Sequence, residues 1–384
     1  MFELSEEQND FKKSLRTFVD REIIPVAREM EATGEYPSAI VDGLKEMGLF
    51  GLTIPEDHDG LGIDPVSFGI VFEELARGWM GIAGVLGSHT MAAKMIAEHG
   101  TDDQRATYLS DLASGSRRTA LALTEPDAGT DLQGIKTTAK RVEGGYLING
   151  AKMWITNARH ADPLPVLVKT DTTTTPAHKG MSILLVEAGT SGFEVTKDIE
   201  KLGYKGPESC EIVFENCEVP ESALLGGVEG RGMQQVLSAL QWGRVNIAGR
   251  SVGIAQRALE ESVSYAQERE SFGQPISEFQ AIQLRVGRMA TRVQAARQLM
   301  YWSAQSLLQG RADGETGMAK VFCSEVALES AIEAMSIHGG YGYSKEYEIE
   351  RLYRDAPLMS IGEGTNDILN TVIAKSIFSG RTKI

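Results

Sequence analysis

The sequence predicts a multidomain α+β protein with an N-terminal helical domain (1–120), a middle β domain (121–232) and a C-terminal helical bundle (233–384). The hydrophobic periodicity supports this division. Apolar residues recur at spacings of three and four in the first and last parts, whereas the middle part has short alternating runs between turn residues. A chain of 384 residues is also too long for one ordinary core.

Helical spacing and end signals define the N-terminal elements. Ser5, followed by two glutamates, is expected to cap a first helix whose apolar residues recur at helical spacing. Pro37 opens a second helix, which Gly48 ends. Further periodic segments predict helices at residues 66–78, 82–98 and 102–113.

Alternating patterns and turn residues define the middle domain. Gly144-Gly145 and Asn149-Gly150 are predicted to form tight turns. Strands are expected at residues 137–142, 146–148, 181–188, 193–197 and 210–220. Short strands bounded by turns are typical of a β-barrel or sandwich.

The C-terminal part is predicted to be helical. Residues 276–309 carry apolar side chains at spacings of three and four over many turns, which indicates a long helix in a bundle. Near the end of the chain, Glu363 stands between Gly362 and Gly364. Thr365 precedes another apolar-periodic run, so it is expected to cap a final helix.

Composition excludes several functional classes. The net charge of −15 argues against binding to a nucleic acid backbone. The three cysteines form no CxxC motif, and the six histidines show no metal-binding spacing, so no metal site is expected. The chain lacks an apolar run of membrane length, and its acidic start does not resemble a targeting segment. We therefore expect a bacterial cytoplasmic protein.

Two common nucleotide-binding motifs are absent. Residues Gly145 to Gly150 have the glycine spacing of a phosphate-binding loop, but Ala151 stands where that loop requires lysine. No GxGxxG pattern follows a strand and opens a helix. A classical nucleotide-binding fold is therefore not expected.

Three stretches are candidates for a site, each with a purely structural alternative. Glu363 is a potential base beside a helix start, or an ordinary glutamate in a surface turn. The segment 121–131 lies at the predicted domain junction, where ligands often bind, but it is equally consistent with a polar turn. Trp154 and Thr156 share one face of a strand, and in isolation Trp154 is best interpreted as a core residue.

Several segments along the chain form a recognisable set. They are TEPDAGTD (124–131), NGAKMWITNA (149–158), RESFGQPISEFQ (269–280), HGGYGY (338–343) with RLYRDA (351–356), and EGTNDI (363–368). Taken together, these segments resemble the acyl-CoA dehydrogenase flavoproteins, and they occur in the family's order and at its separations. The opening residues 4–27 and the loop 54–62 are also similar, so the resemblance spans essentially the whole chain.

The resemblance implies N-terminal helices, a middle β domain and a C-terminal four-helix bundle, assembled as a homotetramer. It also implies FAD between the β domain and the bundle, with Trp154 over the isoalloxazine ring. Arg269, Phe272 and Gln280 would reach the adenine and diphosphate end of FAD in a neighbouring subunit. The other residues implied to contact FAD are Leu121, Leu123, Thr124, Thr156, Ser336, Gly340, Thr365 and Asp367.

The implied reaction is α,β-dehydrogenation of an acyl-CoA thioester to the trans-2-enoyl-CoA. A carboxylate removes the α-proton while the β-hydrogen leaves as hydride to flavin N5, and an electron-transferring flavoprotein takes the electrons. The thioester carbonyl would be polarised by the base's own N–H and a flavin ribitol hydroxyl. Some family branches carry the base at the position of Gly243, and since glycine cannot remove a proton, Glu363 is the expected base.

The resemblance also implies a set of substrate contacts. Thr130 would contact the pantetheine, Arg244 the phosphate or adenosine end of CoA, and Gly364 the thioester. Gly362 replaces an aromatic residue of many members, which suggests a wider pocket for a branched, cyclic or bulky acyl group. Arg250 could recognise a charged acyl tail, but a structural ion pair is the preferred interpretation.

Two further departures concern FAD. Ser336 replaces the usual Gln before the Gly339-Gly340 pair, and Asp367 replaces a longer side chain after EGT. Three alternatives to an acyl-CoA dehydrogenase remain open at this point: an oxygen-reactive oxidase or monooxygenase, a dehydrogenase of carrier-protein thioesters, and a non-enzymatic binding protein. The sequence does not identify the acyl chain.

Overall fold

The computed structural model describes residues 2–382, and its first part is helical. The Ser5 hydroxyl accepts from Gln8 N while the Gln8 side chain accepts from Ser5 N, so the predicted cap is a complete capping box. The predicted helices are confirmed. A π-helical turn (Val19–Ile23) follows the first helix and leads into a further helix that was not predicted. The helices up to residue 114 are α1 (Glu6–Phe18), α2 (Ile24–Thr33), α3 (Ser38–Glu46), α4 (Pro65–Gly78), α5 (Met80–His99) and α6 (Asp102–Ser114).

The middle part is one hydrogen-bonded sheet. Its six strands lie in the order β4-β3-β1-β2-β6-β5. Neighbouring strands are antiparallel except for β1 and β3. The strands are β1 (Thr138–Val142), β2 (Gly145–Thr156), β3 (Leu164–Lys169), β4 (Met181–Val186), β5 (Phe193–Asp198) and β6 (Ser209–Pro220).

The turn predicted at Asn149-Gly150 is wrong. Strand β2 runs through both residues, with a register shift against β6 at this point. Asn149 pairs with Thr138 of β1, and Gly150 pairs with Phe214 of β6. Pairing on both sides outweighs the turn preference of Asn-Gly. Glycine is required here for close approach, because a Cβ at Gly150 would lie 2.5 Å from Thr137 Oγ1.

The C-terminal part is a helical bundle. The long helix predicted at 276–309 is confirmed by α8, which has a 3₁₀ turn at each end. A small hairpin of two short strands precedes α8. The elements are α7 (Gly232–Glu268), β7 (Glu270–Ser271), β8 (Gln274–Pro275), α8 (Gln280–Ser306), α9 (Asp313–His338), α10 (Ile349–Ile361) and α11 (Asn366–Phe378).

Helix α7 connects the three parts of the molecule. Its apolar residues share one buried core with α4 and α5, and a second core joins the start of α7 to α5, α6, β3 and β4. The sheet also has a core of its own. The sheet is thus held against α5 and α7, and a cleft remains where they meet. None of the helices within residues 2–382 combines the length and apolarity needed to span a membrane.

Candidate active site

A cleft of about 960 Å³ opens at the junction of α5, the sheet, α7 and the loop between α10 and α11. This volume is at the upper end of the range for small-molecule and cofactor sites. Its walls also include the segment 121–133, which precedes β1. The cleft therefore brings together regions that are more than two hundred residues apart in the sequence, such as 121–133 and Glu363.

Glu363 faces this cleft from the loop between α10 and α11. Its φ is +56°, a left-handed conformation that is strained for a residue with a side chain and that often marks functional sites. Gly364 follows with φ +91°. The Thr365 hydroxyl then accepts from Ile368 N (3.4 Å) and caps α11, as predicted. The capped helix and the two flanking glycines hold the glutamate in this sharp bend.

The electrostatic surroundings of Glu363 are those of a base. Within residues 2–382, its Oε2 is buried without a hydrogen-bond partner. Burial raises the pKa of Glu363, and the nearby cations Arg250, Arg244 and Lys320 oppose that rise only in part. A carboxylate with a raised pKa and a free oxygen can accept a proton at neutral pH.

Gly243 packs directly against this carboxylate. A Cβ built at Gly243 would lie 2.7 Å from Glu363 Oε2 and 2.8 Å from Met91 Cε. Position 243, where some family branches carry the base, is thus adjacent to Glu363 in space, although the two residues are 120 apart in the sequence. Because Gly243 has no side chain, Glu363 can occupy this space.

Lys320 on α9 is hydrogen-bonded to the loop that carries Glu363. Its Nζ donates to Gly364 O (2.8 Å) and to Asn366 Oδ1 (2.9 Å). Burial lowers the pKa of Lys320 to about 8, against the opposing influence of Glu363. Lys320 was not predicted, since a single lysine in a helix carries no local signal of a contact 44 residues away.

The opposite wall carries residues that the resemblance assigns to the flavin. Leu121, Leu123, Thr124, Trp154 and Thr156 all line the cleft. Trp154 is 52% exposed and has φ +65°, so the interpretation as a core tryptophan is wrong. Trp154 and Thr156 both line the cleft, but so does the largely buried Ile155 between them, and a register shift against β6 between Lys152 and Ile155 interrupts the regular alternation of β2. A large aromatic ring on an open cleft wall is suited to cover a planar ligand.

A buried ion pair fixes this wall. Lys152 Nζ donates to Glu125 Oε1 (2.8 Å) and to Leu123 O (3.0 Å), which ties β2 to the segment 121–133. The Glu125 carboxylate also accepts from Lys136 N (2.5 Å) and Thr137 N (3.0 Å). Burial lowers the pKa of Lys152 to about 8, although Glu125 opposes this. The pair therefore holds the two segments of the wall in register.

The residues predicted to contact substrate and cofactor fall into two groups. Thr130, Arg244, Gly362, Gly364 and Thr365 line the cleft with Glu363. Arg269, Phe272, Gln280, Ser336, Gly340 and Asp367 do not line this cleft, and Phe272 is 97% exposed. The second group includes the three residues expected to reach a neighbouring subunit.

Arg244 lies deeper in the protein than its predicted role suggests. It is buried, and its Nη1 donates to Asp313 O (3.3 Å) and Asp313 Oδ1 (3.4 Å). Burial lowers the pKa of Arg244, and Asp313 and Glu363 oppose that shift.

A glycine pattern on α5 was also missed. Gly81, Gly84 and Gly87 recur every third residue, and a Cβ on Gly84 or Gly87 would overlap side chains that line the cleft. At Gly84 the overlapping group is the Tyr204 ring, and at Gly87 it is the Arg250 guanidinium. Repeated glycine at helical spacing is the sequence signal that could have predicted this close approach.

The structural ion pair predicted for Arg250 is wrong. In the described part of the chain, Arg250 has no ion-pair partner, its Nη2 donates to Ala83 O (3.1 Å), and its Nε is buried without a partner. Arg250 is 6% exposed and lines the cleft. Sequence alone could not show this, because any carboxylate partner would come from a distant segment.

Fold and cleft together define a flavin-dependent oxidoreductase of the acyl-CoA dehydrogenase type, and comparison with known proteins agrees. The models of the acyl-CoA dehydrogenase N-terminal, middle and C-terminal domains match residues 5–116, 120–217 and 230–378. The chain belongs to the acyl-CoA dehydrogenase family.

Individual relatives match along nearly their full length. An acyl-CoA dehydrogenase of Bacillus subtilis is 40% identical over 381 residues, covering 98% of this chain and 99% of the relative. Butyryl-CoA dehydrogenase of Megasphaera elsdenii has a similar structure (TM-score 0.94, 34% identity, 98% and 100% coverage). So does a chain from a structure of the electron transferring flavoprotein of Acidaminococcus fermentans (TM-score 0.95, 36% identity, 98% and 99% coverage).

The family is FAD-dependent, and the cleft fits this cofactor. The exposed Trp154, Thr124 and Thr156 line one wall, and Glu363, whose Oε2 has no hydrogen-bond partner within residues 2–382, lies in the same cleft. The protein is accordingly an FAD-dependent oxidoreductase.

Proposed function

We propose that the protein catalyses α,β-dehydrogenation of an acyl-CoA thioester to the trans-2-enoyl-CoA, with Glu363 as the base. The observation that carries this proposal is the buried Oε2 of Glu363, which has no hydrogen-bond partner in the described residues and lies in a strained loop facing the cleft. A strained conformation and a free buried acceptor both cost stability, so their retention favours a role in chemistry.

Glu363 removes the α-proton. Its raised pKa brings its basicity closer to that of the weakly acidic C–H next to a thioester, which general-base catalysis requires. Bound FAD supplies the acceptor for the β-hydrogen, which leaves as hydride. Lys320 and the cap at Thr365 keep the base in position during this transfer.

The cofactor contacts retain their proposed assignment. Trp154 covers the isoalloxazine ring, and Lys152 and Glu125 hold the segments that carry the contacts of this wall. Arg269 and Phe272 belong to the site of a neighbouring subunit, which their exposure outside this cleft supports. The remaining proposed contacts are Leu121, Leu123, Thr124, Thr156, Gln280, Ser336, Gly340, Thr365 and Asp367.

The substrate contacts are also proposals. Thr130 binds the pantetheine and Gly364 lies against the thioester, both on the cleft wall. Arg244 reaches the phosphate or adenosine end of CoA, which requires exchange of its contact with Asp313. A Cβ at Gly362 would meet only Leu358 O, at 3.5 Å, so the space next to Gly362 is open and can take a bulky acyl group.

We also propose the partners and location implied by the family. Exposed aromatic residues of the C-terminal part, Phe272, Tyr343 and Phe378, support burial between subunits of a homotetramer. An electron-transferring flavoprotein is the proposed electron acceptor, and the similar chain from Acidaminococcus fermentans supports it. The three cysteines are free and buried, which suits the reducing cytoplasm.

The test is anaerobic reduction of the purified flavoprotein. Straight, branched, cyclic and dicarboxylic acyl-CoAs are added in turn, and loss of flavin absorbance is followed by stopped-flow. We expect at least one class to reduce the flavin, and Glu363→Gln to slow that reduction about 10⁴-fold, at the upper end of general-base effects. Reduction by a thioester at an undiminished rate in Glu363→Gln would refute the assignment of the base.

The alternative is an oxidase or a dehydrogenase of carrier-protein thioesters. One structurally similar protein is the prolyl acyl carrier protein oxidase AnaB (TM-score 0.92, 30% identity, 98% and 100% coverage), which keeps this alternative open. If acyl-CoAs fail to reduce the bound flavin but an acyl carrier protein thioester succeeds, the carrier-protein activity replaces the proposal. Rapid peroxide formation in air would identify an oxidase.

A further inference from the structure

Arg250 is a buried cation that lines the cleft and, within residues 2–382, makes no direct ion pair, although it lies close enough to Glu363 to lower the pKa of that carboxyl. Its Nη2 donates to Ala83 O, and its Nε has no partner within residues 2–382. Its guanidinium lies over the Phe72 ring at 6.0 Å and the Tyr204 ring at 5.8 Å. Aromatic faces hold a cation in place but leave its N–H groups unsatisfied. An unpaired buried charge is costly, so Arg250 is expected to have a partner when the site is loaded.

Other polar groups surround the same end of the cleft. Asn246 is 1% exposed, and its Oδ1 also has no hydrogen-bond partner in the described chain. The Asn246 amide and the Arg250 guanidinium both approach Gly87, where a Cβ would overlap them. Ser88 and Tyr204 line the cleft beside them. Gly87 thus makes room for the polar side chains of Asn246 and Arg250 at this end of the cleft.

The position of this polar end relative to the base is set by helix α7. Gly243, which touches Glu363, and Arg250 are seven residues apart and so lie on the same side of the helix, about 10 Å apart along its axis. Asn246 lies between them on that side. Glu363, Asn246 and Arg250 line the same cleft, so an acyl tail with its α-carbon at Glu363 can extend toward Asn246 and Arg250.

The charges around the cleft favour an anion at this end. Arg250 and Arg244 both line the cleft near Glu363, and within residues 2–382 only Arg244 of these two also has Asp313 within ion-pair distance. A hydrocarbon tail would cover Arg250 and Asn246 without satisfying their hydrogen bonds, which is unfavourable for a neutral amide and more so for a charged guanidinium. A carboxylate would accept from both side chains and neutralise the cation.

We propose that the preferred substrate is an acyl thioester whose acyl group ends in a carboxylate, and that Arg250, with Asn246, binds that carboxylate. This inference rests on the proposed dehydrogenation. The reaction balances as before: Glu363 takes the α-proton, the flavin takes the β-hydrogen with two electrons, a C=C bond forms, and the distal carboxylate is unchanged. Arg250 acts as a specificity residue that binds the distal carboxylate and takes no part in the bond changes.

The test compares acids with their neutral esters on the holoenzyme. Glutaryl-CoA and adipyl-CoA are each paired with the corresponding ω-methyl ester, which has the same chain but no charge. We expect kcat/KM to favour the acid about 100-fold, and Arg250→Gln to abolish that preference, mainly through KM for the acid. Arg257→Gln is the matched control, since Arg257 lies two turns further along α7 and is paired with Glu261 and Glu348. It should leave the acid-to-ester ratio unchanged.

A second readout does not depend on turnover. In a Glu363→Gln background, calorimetric titration with glutaryl-CoA should give a Kd about 100-fold lower than with its methyl ester, and Arg250→Gln should remove the difference. Thermal unfolding of each variant checks that it is folded.

The outcomes separate this inference from the proposed function. If no thioester reduces the flavin, the proposed function fails. If neutral acyl-CoAs reduce the flavin as well as or better than the acids do, only the role of Arg250 in substrate recognition fails. If Arg250→Gln lowers kcat equally for acid and ester and displaces the pH profile, Arg250 acts on Glu363 instead, and the inference is overturned.

Discussion

Two buried glutamates in this protein have opposite environments. Glu73 on α4 accepts from Lys12 (2.8 Å) and Arg297 (2.9 Å), and its other oxygen accepts from the Tyr301 hydroxyl (3.0 Å). Glu363 lies on strained backbone, and its Oε2 has no partner among residues 2–382. Burial raises the pKa of both carboxyls, but Arg297 and Lys12 outweigh it at Glu73 and lower its pKa to about 2.

The difference shows what each glutamate contributes. A carboxylate surrounded by donors stabilises the fold but is too weak a base for catalysis. A carboxylate left without donors destabilises the fold but remains a usable base. Burial alone does not distinguish the two roles. They are distinguished by whether the carboxylate oxygens accept hydrogen bonds. Three substitutions test this contrast.

Glu73→Gln should have the largest effect on stability. The pKa of Glu73 is depressed from 4.5 to about 2, so the ionised side chain contributes roughly 3 kcal/mol to the free energy of unfolding at neutral pH. Because the folded pKa is lowered, this contribution is complete above pH 4.5 and is lost as the pH falls toward 2. The free energy of unfolding, measured by urea titration between pH 3 and 7, should show the deficit at pH 7 and its decrease at pH 3.

The exposed Glu143, in the β1–β2 turn, provides the control. Glu143→Gln should change the unfolding free energy by less than about 0.5 kcal/mol. The rate of flavin reduction by folded Glu73→Gln protein should match wild type. A loss of stability in Glu73→Gln that did not vary with pH would contradict the assigned ion pairs.

Much of the fold could be predicted from local pattern, because helix spacing, caps and strand alternation are properties of neighbouring residues. The site was predicted less completely. The flanking glycines and the capping Thr365 identified the loop at Glu363, but the partners that set its chemistry come from α7 and α9. Lys320 carries no sequence signal, and for Arg250 a partner was assumed that the fold does not provide.

The same limit explains the wrong turn at Asn149-Gly150. The local preference of this pair is for a hairpin turn, but strands β1 and β6 hold β2 extended from both sides. Long-range pairing decided this conformation, just as long-range contacts decided the environment of Glu363.

Lys320→Met should have an effect of intermediate size, and this effect should be on catalysis. Loss of its hydrogen bonds to Gly364 O and Asn366 Oδ1 should loosen the loop, and we expect kcat to fall about 10- to 100-fold through misplacement of the base. The pKa of Glu363 should also rise further, because an opposing cation is removed. The acidic limb of the pH profile of flavin reduction should therefore move to higher pH.

Ser324→Ala is the matched control for Lys320. It removes the contact of Ser324 with Asn366 (3.0 Å) but keeps Lys320 on Gly364. Its effect on kcat should be smaller and its pH profile should not move. If Lys320→Met lowered kcat with no change in the pH profile, Lys320 would support the loop without influencing the charge of Glu363.

Glu363→Gln should have the smallest effect on stability, opposite in sign to that of Glu73→Gln. Since burial raises the pKa of Glu363, ionising this group in the folded protein lowers the free energy of unfolding. The loss begins as the pH rises above 4.5, the ordinary pKa, and is complete above the pKa of the folded protein. Removing the charge should stabilise the protein at pH 7 by up to about 1 kcal/mol, the scale of a typical single substitution, and should change little at pH 4. Urea titration of the two glutamine variants side by side gives the decisive comparison: their pH dependences should have opposite signs. If Glu363→Gln were destabilising at pH 7, the carboxylate would be a satisfied structural group like Glu73, and its assignment as the base would be contradicted.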